Sequence, residues 1–242
     1  MRRALLPLIL IPALAFSQAV TLKRSPKVGD TLKYRATLIF TVYGNDFFYT
    51  SLITDKVTDV AKDGSYTVAS TQAEIKARAG QDFPVQQGAN QVSHELFDAR
   101  GHVMDLKEDK SSEGWRFAYL SCFILPDKPV AKGDTWTATL PARADRQTPG
   151  ASVIYTSEGM DPNPVDGISA LKVDEKYAEN SQSNKASKTG TVWVDPKDGT
   201  VVKVEEQWRN APIAGITTLV NGNVVYERVL GSSDPEPSSG GG

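Results

Sequence analysis

Thr31-Leu-Lys-Tyr-Arg-Ala-Thr-Leu-Ile-Phe-Thr-Val-Tyr43 alternates between apolar and polar residues. Leu32, Tyr34, Ala36, Leu38, Phe40 and Val42 share one parity, and Lys33, Arg35, Thr37 and Thr41 the other; only Ile39 and Tyr43 break the pattern. Side chains on a strand point to opposite faces in turn, so this is a long strand with one buried face. Phe47 to Val57 is its hairpin partner across Gly44-Asn45-Asp46, and Ser65 to Thr71 is a third strand after Asp63-Gly64. Ile75 to Gln91 is polar, glycine-containing and expected to be irregular. Val92 to Phe97 and Gly101 to Leu106 pair around an Asp98-to-Gly101 turn.

The tripeptide Gly29-Asp30-Thr31 returns at Gly133-Asp134-Thr135, and the later landmarks return with it in the same order. Asp63-Gly64 is matched by Asp166-Gly167. The Asp98–Gly101 turn is matched by Asp195-Pro-Lys-Asp-Gly199, and each is followed by an apolar strand. Thr135 to Leu140, Ser152 to Ser157, Ile168 to Tyr177, Thr191 to Val194 and Val201 to Trp208 are the strands of this second run, with Ala178 to Lys188 a polar loop. Val202, Val204 and Trp208 are expected to face inward. A last hairpin, Thr217 to Val220 with Val224 to Leu230, would turn at Asn221-Gly222, a strong two-residue turn signal. The fold expected is mainly β: a curved antiparallel sheet, half-barrel or open barrel, built from two duplicated β units.

One segment departs from this. Trp115, Ala118, Tyr119, Cys122 and Phe123 follow helical spacing, with Ser111 or Ser112 available as a cap and Pro126 as a stop. Phe117, Leu120 and Ile124 make the other faces apolar as well, and a helix apolar nearly all round must be buried. A buried strand over Phe117 to Leu125 is the competing reading of such a short run. A helix here could fill or cover the concave side of the sheet.

Arg2 and Arg3, then an apolar run from Ala4 to Phe16 with small residues at Ala13, Ala15, Ser17 and Ala19, have the form of a secretory leader. The run is too short to span a bilayer. The division expected is a leader over 1–19, a first β unit over 20–110, an apolar connecting helix over 111–126, a second β unit over 127–230 and a disordered tail over 231–242. The protein is thus expected to be exported, periplasmic or secreted, with no transmembrane segment in the mature chain. Its net charge of −2, with both signs interspersed, offers nucleic acid no attraction. Cys122 is the single cysteine, so no internal disulfide can form.

Residues with chemical potential are few. His94 and His102 flank a turn, and His94, Glu95 and Asp98 form at most a small acid–base cluster. Asp161-Pro-Asn-Pro-Val-Asp166-Gly167 fails the spacing of a calcium loop and reads as a rigid turn. Lys188-Thr189-Gly190 matches an element of penicillin-recognising serine enzymes, but no Ser-x-x-Lys accompanies it, and its polar setting makes a chance match. Asp174-Glu175 and Glu205-Glu206 are adjacent acids that point to opposite faces and read as solvated. Trp136, Trp193 and Trp208 would stack on sugars if exposed and fill the core if buried. No metal or cofactor is expected.

Leu125-Pro-Asp-Lys-Pro-Val-Ala-Lys-Gly-Asp-Thr-Trp136 resembles a stretch in exported bacterial β-rich proteins of unknown function, where Leu-Pro-x-x-Pro-Val leads into Gly-Asp-x-Trp. The Asp195–Gly199 turn before a valine-rich strand is similar too. In architecture alone, the layout resembles half-barrel carriers of lipoproteins and lipids, which implies a curved sheet wrapped around apolar cargo. Neither resemblance carries catalytic residues. The expectation is an exported, non-catalytic binding or scaffold protein of the cell envelope. Its partner would be an envelope component or an apolar small molecule, covered by Trp115, Tyr119 and Phe123. A hydrolase with an unrecognised site and a carbohydrate-binding module are the alternatives.

Overall fold

The computed structural model describes residues 19–42, 44–79, 81–83, 91–165, 167–213 and 218–230. Residues 1–18, 43, 80, 84–90, 166, 214–217 and 231–242 lie outside them, and with them all but the last residue of the expected leader over 1–19, the expected tail over 231–242 and Thr217 of the expected last hairpin. Twelve strands form one antiparallel sheet. The first run is β1 (Thr31–Val42), β2 (Asn45–Val60), β3 (Tyr66–Ala79), β4 (Gln81–Phe83), β5 (Val92–Phe97) and β6 (Val103–Leu106). Helix α1 (Ser112–Ser121) follows. The second run is β7 (Thr135–Leu140), β8 (Ala151–Val165), β9 (Ile168–Glu179), β10 (Ser187–Val194), β11 (Val201–Ala211) and β12 (Val220–Arg228). The order across the sheet is β6-β5-β3-β2-β1-β12-β11-β10-β9-β8-β7, with β4 beside β3 alone. Each run is a meander, and β12 joins them by pairing with both β11 and β1.

The sheet stays open between β6 and β7, yet it is strongly curled. Ten inter-strand gaps of about 4.8 Å would hold the edges of a flat sheet roughly 48 Å apart. Instead Arg143, just after β7, donates from Nη2 to the Met104 carbonyl of β6 at 3.0 Å. One side chain spans the mouth and covers carbonyls of an edge strand, a position that otherwise invites pairing with another chain.

On β1 the parity of Ala36, Leu38, Phe40 and Val42 is buried, as its alternation dictates. The two Gly-Asp-Thr turns have one geometry. Gly29 and Gly133 adopt φ of +96° and +89°, a region glycine enters without steric cost. Their N–H groups donate to Val57 O (2.9 Å) and Ser157 O (2.7 Å). The Oδ2 atoms of Asp30 and Asp134 accept from the N–H groups of Lys27 and Ala131, both at 2.8 Å.

Several expectations need correction. Ile75 to Ala79 is strand, not irregular chain: β3 carries a bulge opposite Thr50 and Leu52, with Glu74 at φ +51°, and then resumes pairing. Ala178, Glu179, Ser187 and Lys188, at the two ends of the expected loop, are strand. Asp161 to Val165 continues β8 instead of forming a turn. Asn221-Gly222 is no turn either, since both residues lie inside β12 opposite Thr41 and Phe40. A Cβ on Gly222 would stand 2.2 Å from the Ile39 carbonyl, so this glycine allows close strand approach. Val202 does not join Val204 and Trp208. A register shift at Trp193/Val194 rephases β11, and Val202 packs with Val165, Ala170 and Trp193 in a small separate cluster.

Helix α1 forms where the spacing places it, and it is Ser111 that caps it, accepting from Gly114 N–H at 3.0 Å. It ends at Ser121, short of Pro126. Cys122 to Leu125 run extended and buried. Their backbone is satisfied by neighbouring groups: Ile124 N–H donates to the Tyr155 hydroxyl (3.2 Å), and the Trp136 indole to Ile124 O (3.0 Å). Arg100 donates from Nε and Nη2 to Leu125 O at 2.9 and 2.7 Å. With such partners a buried chain needs no helix to hold its polar groups. No helix of the described residues is long and apolar enough to cross a membrane.

Candidate functional site on the concave face

The pairing register lays the concave face out in rows. One row reads Tyr155 (β8), Glu175 (β9), Gly190 (β10), Glu206 (β11) and Val224 (β12). The next contains Tyr177, Lys188, Trp208 and Gly222. Lys188 therefore stands beside Gly190 on the same face, between the two acids. Its Nζ lies 2.8 Å from Glu175 Oε1 and 2.9 Å from Glu206 Oε1. Glu206 Oε2 accepts from the Trp208 indole at 2.6 Å. A Cβ at Gly190 would sit 2.7 Å from Glu206 Cγ, so only glycine leaves room for this arrangement.

All three charged residues are buried: Glu175 is 1% exposed, Lys188 3% and Glu206 7%. The expectation that both acid pairs are solvated is thus corrected. Alternation holds within each pair, but Glu175 and Glu206 are the inward members, and they converge on one ammonium. Two carboxylates around one cation leave an excess negative charge in a dry interior, which is costly. Burial accordingly pushes the Glu175 carboxyl up to about 8, against the pull of Lys188 and with a further push from Glu206. Burial thus favours the protonated form of Glu175, and Lys188 stays bonded to Glu206 at 2.9 Å. The two carboxylates hold Lys188 above its ordinary value despite burial.

The thiol beside this triad is not activated. The Cys122 thiol is buried and pushed up to about 12, mainly by desolvation, so it is not a thiolate. The His94, Glu95, Asp98 cluster does not form. His94 Nδ1 meets Glu108 Oε1 at 2.7 Å, and His102 Nδ1 meets Asp98 Oδ2 at 2.7 Å, both stabilising turns. Glu95 instead points toward the interior, where burial, with Asp55 nearby, raises it to about 7. Among the described residues no group of three His, Cys, Asp or Glu side chains is placed to hold a metal ion.

Trp115, Tyr119 and Phe123 are 1%, 0% and 5% exposed and occupy the concavity as core residues. The Arg143 guanidinium covers the Trp115 ring at 3.6 Å, and the Tyr119 hydroxyl donates to Pro141 O at 3.0 Å. Phe123 packs edge-on to Tyr155 and Trp136, with centroids 5.0 and 6.3 Å away. Trp208 is 1% exposed and meets Phe117 of α1 edge-to-face at 5.7 Å. Trp193 is buried on the other face between Lys172 and Lys203, and Trp136 is stacked on Tyr155. The three tryptophans thus fill space and make no exposed platform.

The helix and the strap after it reach β7, β8, β9 and β11 through their side chains and meet the first run at β6 and Arg100. They leave β2 less well covered, for Phe47, Tyr49 and Ile53 remain half-buried on the same inner face. Phe117 of α1, Val204 of β11 and Tyr226 of β12 are half-buried too. This set, not the three aromatic residues singled out from the sequence, is apolar surface with spare contact capacity. The signal for it was present in Phe47, Tyr49 and Ile53, which share one parity. No known protein family matches the chain, and no curated protein does either.

Proposed function

We propose that this is an exported, non-catalytic carrier or scaffold protein of the cell envelope, holding apolar cargo on the half-covered part of its concave face. The observation that carries the reading is the uneven cover of that face. Phe47, Tyr49, Ile53, Phe117 and Tyr226 are large and apolar, yet stay half-buried against the core. Ligand sites are concave and mostly apolar, with few polar groups. Trp115, Tyr119 and Phe123 serve in this reading as the built-in filling that sets the depth of the space. The leader-like residues 1–19 support export. The matched turns at Gly29/Gly133 and the same strand order in each run support an origin by duplication, with β12 added between the copies.

The buried Glu175–Lys188–Glu206 triad is the feature that would favour a hydrolase. It is sealed beneath α1, with an unreactive thiol as neighbour, so it is read as a structural pin. Native mass spectrometry of protein purified from its own membrane-containing source tests the carrier reading. The expected result is co-purified lipid and saturable uptake of a fluorescent fatty acid, with uptake lost in Ile53→Asp. Bare protein that takes up no probe would sink it.

A further inference from the structure

A second recess lies away from the concave floor, where the start of α1 meets the 142–149 loop and the 181–184 loop. It encloses about 440 Å³ and is lined by two arginines, Arg116 and Arg143, by hydroxyl and amide side chains including Ser112, Gln147, Ser183 and Asn184, and by small apolar residues. No lining residue is acidic, in a chain whose net charge is −2.

Both guanidinium groups are fixed before any ligand arrives. Arg116 donates from Nε and Nη2 to the two oxygens of buried Glu179, at 2.7 and 2.8 Å. Arg143 lies on the Trp115 ring, donates from Nε to the Tyr119 hydroxyl at 3.0 Å and reaches β6 through Nη2. These partners of Arg143 are neutral, and among the described residues no carboxylate stands within ion-pair distance of it. The nearby acid Asp145 is paired with Arg146 at 3.1 Å. The recess thus presents an immobilised guanidinium with no carboxylate in direct contact; Asp105 on β6, which feels its charge, is itself bonded to Lys110 at 2.7 Å. A guanidinium held in this way matches the planar geometry of an oxyanion and loses little further entropy on binding it.

We infer that this recess binds a small organic molecule through its carboxylate or phosphate group, with Arg143 as the principal contact and Ser183 and Asn184 at the rim. The site is separate from the proposed cargo face, and either can fail without the other. Citrate and inorganic phosphate, titrated at low ionic strength and followed by backbone amide NMR, are the probes; citrate represents the carboxylate source and phosphate the other. Saturable shifts confined to residues 112–116, 142–149 and 181–184 are expected for at least one of them, abolished by high salt and absent with glycerol. Arg143→Gln removes the contact but also the strut to β6, so Ser183→Glu is the decisive variant. The Ser183 hydrogen bonds run through its backbone. A carboxylate there should weaken binding by about tenfold without altering the melting temperature. Shifts that never saturate, that scatter over all surface lysines and arginines, or that survive Ser183→Glu unchanged would overturn the assignment.

Discussion

The inner faces of the two strand runs come from the same pattern of turns, yet they are used differently. In the second run Ala151, Val153 and Tyr155 on β8 are completely buried beneath α1 and the strap, and a charged triad is sealed among them. In the first run Phe47, Tyr49 and Ile53 on β2 remain half-buried. The difference originates in the connection between the runs. Phe123 inserts between Trp136 and Tyr155, Phe117 lies on Trp208, and Arg116 grips Glu179; all four partners belong to the second run. The chain's own connection closes over β8, while Phe47, Tyr49 and Ile53 on β2 stay half-buried.

The contrast is broken most severely at Lys188. Lys188→Ala leaves Glu206 in the interior without its cation, and removing one partner of a buried ion pair costs about 3–5 kcal/mol. Glu175→Gln replaces a group that burial already drives toward its neutral form and should cost less than about 1 kcal/mol. Urea unfolding of both variants measures this. Equal losses would mean that Glu175 is ionised and that the triad is a true double ion pair.

The cover itself comes next. Leu120→Ala, at a fully buried position on α1, should cost about 2–5 kcal/mol. Ile53→Ala, on the half-covered floor, should cost roughly half as much, because fewer contacts are lost there. If the two losses match, β2 is as tightly covered in solution as β8, and the proposed cargo space is absent.

Acidity should separate the regions further. Glu175 and Glu95 have raised pKa values, so the native state keeps protons that the unfolded chain gives up. Their contribution is fully present below the unfolded carboxyl value of about 4.3. It is lost as pH rises through about 7 for Glu95 and about 8 for Glu175. Asp98, Asp105 and Asp161 are lowered by hydrogen bonds, and their contribution disappears only in stronger acid. Melting temperature should therefore be higher at pH 5 than at pH 8, and Glu175→Gln should flatten the slope. A profile that climbs toward pH 8 would contradict both assignments.

Much of the fold was legible because one buried face writes itself as alternation: β1, β5 and β7 lie within a residue of where their parity places them. The failures at the charged positions share a cause, namely that residue type and phase point opposite ways. Glu206 stands on the same parity as Val204 and Trp208 and was already pointing inward. Lys188 and Gly190 sit two apart at the start of a strand whose apolar part begins only at Val192. Charge suggested solvent, and what overrode it was a partner on each neighbouring strand, which no local window contains. Asn221-Gly222 failed for the opposite reason. Its turn propensity is real, but close packing against Ile39 and the opposing Trp208 determined its place. The bulge that reverses Val202 depends on pairing with β10 and has no signature in β11 alone.

The most local effect is expected at the start of α1. Ser111 accepts from Gly114 N–H and starts α1, and Asp109 Oδ1 in turn accepts from both the Ser111 N–H and hydroxyl, at 2.9 and 2.6 Å. Ser111→Ala removes the cap but touches no tertiary contact, so it should cost about 1 kcal/mol. Because α1 packs on the second run and, in the first run, on β6, fraying its first turn should loosen Trp115 and Arg116 and leave β1 and β2 unchanged. Hydrogen exchange resolves this: faster exchange at 112–118 and in β9 near Glu179 is expected, with β2 unaffected. If β2 also exchanges faster, the helix supports both halves of the floor equally, and the asymmetry between them is not set by the cover.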